Sequence, residues 1–91
     1  MKIFKYPLQM DPVNLLQLPK RSKIIHVAIQ MPAGICIWCE VPKPDDIHDV
    51  EERKILIYGT GHEISDKLKV EHLGTVMDGP YVWHVYEEIK E

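Results

Sequence analysis

The stretch Lys23-Ile24-Ile25-His26-Val27-Ala28-Ile29-Gln30-Met31-Pro32-Ala33-Gly34-Ile35-Cys36-Ile37-Trp38-Cys39-Glu40-Val41 decides the fold. Successive side chains of an extended chain alternate, so Ile25, Val27, Ile29 and Met31 are expected on one face and Ile24, His26 and Ala28 on the other. Pro32-Ala33-Gly34 supplies turn chemistry, and Ile35 to Val41 runs back as a second apolar strand. A second hairpin follows the same logic: Val70 to Met77, a turn at Asp78-Gly79-Pro80, then Tyr81 to Ile89. In its return strand Tyr81, Trp83 and Val85 face one way and Val82, His84 and Tyr86 the other. Both faces are partly apolar, which predicts a central place in a sheet.

Working outward, Lys2 to Gln9 puts Phe4, Tyr6 and Leu8 on one face, and Pro7, which has no N–H to donate, predicts an edge strand. Val13 to Leu18 reads as another short strand after a turn at Asp11-Pro12, and Arg53 to Thr60 as one more, ended by Gly59-Thr60-Gly61-His62. From Pro42 to Glu52 five acids fall in eleven residues with almost nothing to bury, which predicts a mobile, solvated loop over 42–52. A single helical turn is expected at Ile64 to Leu68, capped by Ser65. Seven Pro and five Gly leave no run with a 3.6-residue apolar period over the ~10–12 residues that a helix requires. The expectation is an all-β chain, a small antiparallel sandwich or open barrel of about six to seven strands. Its 91 residues suit a single domain over 1–91.

Eleven Lys and Arg against fourteen Asp and Glu give a net charge of −3. Such a chain lacks the broad cationic surface that coats a nucleic acid, so no nucleic-acid partner is expected. The one basic cluster, Lys20-Arg21-Ser22-Lys23, reads as a solvated loop. No window approaches the ~18 apolar residues of a membrane span, and the charges in Met1-Lys2-Ile3-Phe4-Lys5-Tyr6 interrupt any export signal. A cytoplasmic protein with no membrane contact is expected, and two cysteines, too few for a disulfide framework, fit a reducing compartment.

The cysteines at 36 and 39 have metal-knuckle spacing, but on a strand residues three apart point to opposite faces, so two packed thiols are expected. His62-Glu63-Ile64-Ser65-Asp66 lacks the second His of a zinc-protease helix. Gly59-Thr60-Gly61 can expose N–H groups to an anion, yet neither a following Gly-Lys-Ser/Thr nor a third Gly at dinucleotide spacing is present. A Gly-x-Ser-x-Gly elbow and paired His-x-Ser/Thr repeats are missing too. No cofactor and no catalytic residue are therefore predicted.

Five histidines, at 26, 48, 62, 72 and 84, are many for this length. Consecutive antiparallel strands are usually neighbours, so the blocks Gly59-Thr60-Gly61-His62, His72-Leu73-Gly74-Thr75 and Trp83-His84 are expected to converge. The candidate ligand-binding residues are Gly59, Thr60, Gly61, His62, His72, Thr75, Trp83 and His84. Loop N–H groups and hydroxyls suit a phosphate, imidazoles suit tunable hydrogen bonding, and Tyr58 or Trp83 suits a planar ring. The competing reading is a core network in which Gly and Thr shape turns while His and Trp fill space. An alternative of another class is a metal site or enzyme built on His62, His72 and His84.

As a set, these residues resemble a family of short proteins of unknown function encoded by tailed phages and prophages. The matching blocks are Lys5-Tyr6 with Leu8, Pro19, Lys23-Ile24-Ile25-His26-Val27 with Gln30, and Ile37-Trp38. Tyr58-Gly59-Thr60-Gly61-His62, His72-Leu73-Gly74-Thr75-Val76 and Val82-Trp83-His84-Val85-Tyr86-Glu87 complete the set and are its most specific part. The acidic loop and Cys39 depart from the pattern. The resemblance implies a phage context and carries no established activity. By analogy with such proteins, the expectation is a non-enzymatic binding protein in the host cytoplasm. It would be homo-oligomeric and would engage a host protein or sequester a small anionic signalling molecule, in a counter-defence role.

Overall fold

The computed structural model describes residues 1–45 and 48–90, and among them there is no helix. Seven strands follow one another: β1 (Lys2–Pro7), β2 (Val13–Pro19), β3 (Lys23–Gln30), β4 (Gly34–Val41), β5 (Val50–Gly59), β6 (Val70–Asp78) and β7 (Tyr81–Glu88). They form two antiparallel sheets with strand orders β1-β4-β3 and β2-β5-β7-β6. Of the two expected architectures the sandwich is the one adopted. β1 lies at an edge, as Pro7 requires, and β7 lies between β5 and β6, as its two apolar faces require.

The core forms where the inward faces meet. Ile35, Ile37, Cys39 and Val41 of β4 face Ile55 and Ile57 of β5 and Val85 of β7, all at most 6 % exposed. Burying each such aliphatic side chain contributes roughly 1.5–3 kcal/mol. Cys39 lies among them while Cys36, of opposite parity, is buried on the other face, so the thiols pack on either side of the strand as the spacing predicts.

Plain alternation fails at two bulges. In β3 the register shifts between Ile24 and His26, which turns Ile24 onto the core side opposite Cys39 and leaves Ile25 42 % exposed. Met31, expected on the same face as Val27, already belongs to the turn and is exposed. In β6 the shift falls between His72 and Gly74. There β6 leans on β3 across the sandwich: a Cβ on Gly74 would sit 3.0 Å from the Val27 Cβ. The missing side chain is what permits the two sheets to close along this side.

The acidic loop is shorter than expected. Val50, Glu51 and Glu52 are strand residues paired with Pro19, Leu18 and Gln17, because β2 offers them a ladder that acidity alone does not forbid. Asp46 and Ile47, also inside the expected loop, lie outside the described residues. The expected helical turn at 64–68 is instead a hydrogen-bonded turn: Leu68 N–H donates to Ser65 O at 3.1 Å and Lys67 N–H to Ser65 Oγ at 3.2 Å.

Polar groups fasten two of the three crossings between sheets. Asn14, nearly buried, accepts from Gln9 N–H at 2.8 Å and donates to the carbonyls of Gln9 and Asp11, tying the corner between β1 and β2. At the β2–β3 corner Ser22 Oγ donates to Pro19 O at 2.6 Å, and the Ser22 carbonyl accepts from Arg53 Nη1 at 2.8 Å. Arg53 points inward from β5 and holds Glu87 of β7 with both arms of its fork, Nε to Oε2 and Nη2 to Oε1 at 2.9 Å. Each guanidinium nitrogen and each carboxylate oxygen of this largely buried pair has a partner, the condition under which such a pair is tolerated. The Glu87 hydrogen bond raises the Arg53 guanidinium further above its usual range, against the effect of burial.

Two outcomes follow from this packing. Gly74→Ala drives a methyl into Val27 and is expected to lower stability by roughly 1–3 kcal/mol in urea unfolding. Adding Val27→Ala makes room, so the double variant loses less than the sum of the single losses. The second outcome concerns pH. Burial pushes the Cys39 thiol from its ordinary value near 9 up to about 11, with Glu87 adding and Arg53 opposing. The folded chain therefore keeps a proton that the unfolded chain releases. This stabilisation is complete below pH 9 and lost as pH rises from about 9 to about 11. Relative to Cys39→Ala, the wild type should lose up to roughly 2–3 kcal/mol across that window; parallel pH profiles would refute the linkage.

Candidate functional site

The outward face of the four-stranded sheet gathers most of the residues singled out in the sequence. β7, in the middle, sets His84 opposite Tyr58 of β5 on one side and Thr75 of β6 on the other. Two residues further on, Tyr86 stands opposite His72. On a regular strand His72 and Thr75, three apart, would face opposite ways. The extra residue of the bulge, Leu73, turns to pack against the core and restores both to the outward face.

Four side chains there form one hydrogen-bonded row. Thr60 Oγ1 lies 2.8 Å from His84 Nε2, His84 Nδ1 lies 3.0 Å from Thr75 Oγ1, and Thr75 Oγ1 lies 2.9 Å from His72 Nε2. Thr60, His72 and Thr75 are solvent-exposed and His84 is half-buried. The competing core-network reading therefore places these imidazoles wrongly, since their partners are hydroxyls on an outer face. Tyr86 flanks the row, its ring 5.1 Å from the His72 ring and 5.9 Å from that of Tyr58.

Gly59, Gly61 and His62 shape the turn that presents Thr60. His62 N–H donates to Gly59 O at 3.1 Å, and Gly59 N–H donates back to His62 Nδ1 at 3.1 Å. The imidazole lies directly on the Gly59 backbone, where a Cβ would meet its ring carbon at 3.0 Å. Gly61 has φ +89°, a conformation side chains resist. His62 is thus occupied within its own turn.

Trp83 is a correction. Adjacent to His84 on a strand, it must point the other way, and it packs partly buried against the core opposite Val76 and Gly59. It stacks on Tyr81 at 6.0 Å, and its buried Nε1–H has no partner among the described residues. Tyr86 supplies the aromatic surface instead. Its parity with His84, two positions earlier, is the sequence signal that pointed to it.

The alternative trio of His62, His72 and His84 does not assemble. His62 binds its own turn while His72 and His84 meet only through Thr75. Among the described residues no three His, Cys, Asp or Glu side chains are grouped to hold a metal ion. His26 is exposed and packs 5.4 Å from the Trp38 ring on the other sheet's outer face. Toward the opposite end of β5, Glu51, Arg53, Lys54, Glu71, Glu87 and their neighbours line an open cleft of about 330 Å³. Sequence reasoning did not find this cleft, because its central ion pair joins residues 34 positions apart. No helix among the described residues is long and apolar enough to cross a membrane.

Comparison with known proteins adds one match. The family model described as a domain of unknown function, DUF7352, matches residues 1–91. No curated protein and no solved structure matches significantly. With its whole length matched, the chain belongs to the DUF7352 family, a domain of unknown function.

Proposed function

We propose that the protein is a non-enzymatic binding protein that takes a small anion bearing a planar ring, of aryl phosphate type, on the outward face of its four-stranded sheet. The observation that carries this reading is the exposed row Thr60–His84–Thr75–His72, in which hydroxyls and imidazoles are held at fixed spacing. Thr60 offers its hydroxyl to the anion, and Tyr86 with Tyr58 offers ring surface beside it. The nearby charged pair on this face, Lys54 with Glu88 at 3.1 Å, is internally neutralised, so an imidazolium would supply the positive charge.

A homo-oligomeric form belongs to the same proposal. It is supported by the edge of β1, where Ile3 and Phe4 are exposed and no strand among the described residues pairs on the outer side. The setting, a phage-infected host cytoplasm in which the protein sequesters a signalling molecule, rests on the resemblance to short phage proteins.

Titration calorimetry with phenyl phosphate tests the reading. His84→Ala removes the middle of the row and with it the partner that turns the Thr60 hydroxyl outward, and affinity should fall about tenfold or more, the scale of one hydrogen bond to a charged group. Stability should change by less than about 1 kcal/mol, as for other partly exposed polar positions. Unchanged affinity would sink the proposal, and a large loss of stability would return the row to a structural role.

A further inference from the structure

The row has a direction, and the direction matters for what binds at its end. A neutral imidazole carries one N–H and one lone pair, and a hydroxyl carries one hydrogen. Two neutral arrangements make all three links and also use the Thr75 hydrogen. In the first, His72 Nε2–H donates to Thr75, Thr75 donates to His84 Nδ1, and His84 Nε2–H donates to Thr60, whose own hydrogen is left free to point outward. In the second every donor is reversed: Thr60 donates into the row and the spare N–H is at His72 Nδ1.

An anion beside Thr60 selects the first arrangement, because only there does Thr60 donate outward. That choice leaves His72 Nδ1 as a bare lone pair, with no partner among the described residues. A proton added there breaks none of the three links and adds positive charge to the face that holds the anion. In the second arrangement the added proton goes to His72 Nε2 or to His84 Nε2, and in either case a hydroxyl donor of the row, Thr75 or Thr60, must turn away. Anion at one end and proton at the other therefore favour each other.

We propose that the protein binds its anion together with a proton, the anion at Thr60 and the proton at His72, coupled through His84 and Thr75. This rests on the anion-binding reading above and adds what that reading lacks, the linkage between ligand and proton. By reciprocity, the anion strengthens proton binding by the same factor as the proton strengthens anion binding.

The groups around His72 are few. From β7 it faces Tyr86, with Glu88 two residues further on; from β5, Tyr58 stands behind Tyr86 and Lys54 holds Glu88. On β6 itself the exposed Glu71 is adjacent in sequence, and the exposed Lys69 precedes the strand. β3, which packs on β6 through Val27, sends Lys23 and His26 to the other sheet's outer face.

The experiment is titration calorimetry with phenyl sulfate, an anion that does not itself titrate near neutrality, repeated at pH 7 in buffers of different ionisation enthalpy. The slope of observed heat against buffer enthalpy reads protons taken up per anion. The wild type should take up a fraction of a proton, at most one. His72→Gln keeps an N–H for Thr75 but offers no nitrogen to protonate, so it should bind phenyl sulfate with an uptake near zero. Thr75→Val, which cuts the row without changing its shape, should also lose the uptake. Binding with no uptake in the wild type, or uptake that survives both variants, overturns the coupling and leaves the anion site standing. Failure of both phenyl sulfate and phenyl phosphate to bind overturns the anion site and the coupling with it.

Discussion

Gly74 has no side chain, and the space where one would stand is filled by Val27 of the facing sheet. That single close approach holds β6 against β3 and shuts one side of the sandwich. It coincides with the bulge that gives β6 one residue more than its partner β7 across the same span. The extra residue reverses the phase of the strand: Gly74 and Val76 stay with the core, while His72 and Thr75, which a regular strand would separate, come to one surface. Packing on the inner face and chemistry on the outer face are thus set by the same local irregularity. A β6 without it would leave His84 with Thr75 alone and turn His72 inward, toward apolar neighbours that offer an imidazole no partner.

The rest of the sandwich is held by apolar burial in the middle and by matched polar groups where the chain changes sheets. Asn14 and Ser22 close the β1–β2 and β2–β3 corners, and Arg53 joins the Ser22 corner to Glu87 on the central strand β7. Because β7 also carries His84 and Tyr86 on its other face, the ion pair helps fix the strand that positions the row. Cys39 adjoins this pair from the opposite sheet, which is why its thiol feels both Arg53 and Glu87.

Much of this was legible in the sequence, for identifiable reasons. The two hairpins stand out because alternation and turn residues agree over 23–41 and 70–89. Pro7 marks an edge, the two apolar faces of 81–89 mark a centre, and parity separates Cys36 from Cys39. Convergence of Thr60, His72, Thr75 and His84 follows from neighbouring strands. What escaped were departures from period two and contacts of long sequence separation. No residue pattern announces an extra residue at Ile25 or Leu73, since either would also fit a regular strand. Trp83 and His84 are neighbours in sequence, but adjacency on a strand guarantees opposite faces. Glu51 and Glu52 read as loop by charge, although Gln17 and Leu18 supply them with a ladder. The Arg53–Glu87 pair has no local signature at all.

The central claim is that the β6 bulge brings two imidazoles onto one hydroxyl, that of Thr75. Nitrogen-15 spectra of the histidine rings, recorded for the wild type and for Thr75→Val, test it most directly. Removing this hydroxyl should shift the ring resonances of His72 and His84 together and leave those of His26 and His62 in place. A shift confined to His84 would mean that His72 does not share the outward face, and the bulge would then not organise the site.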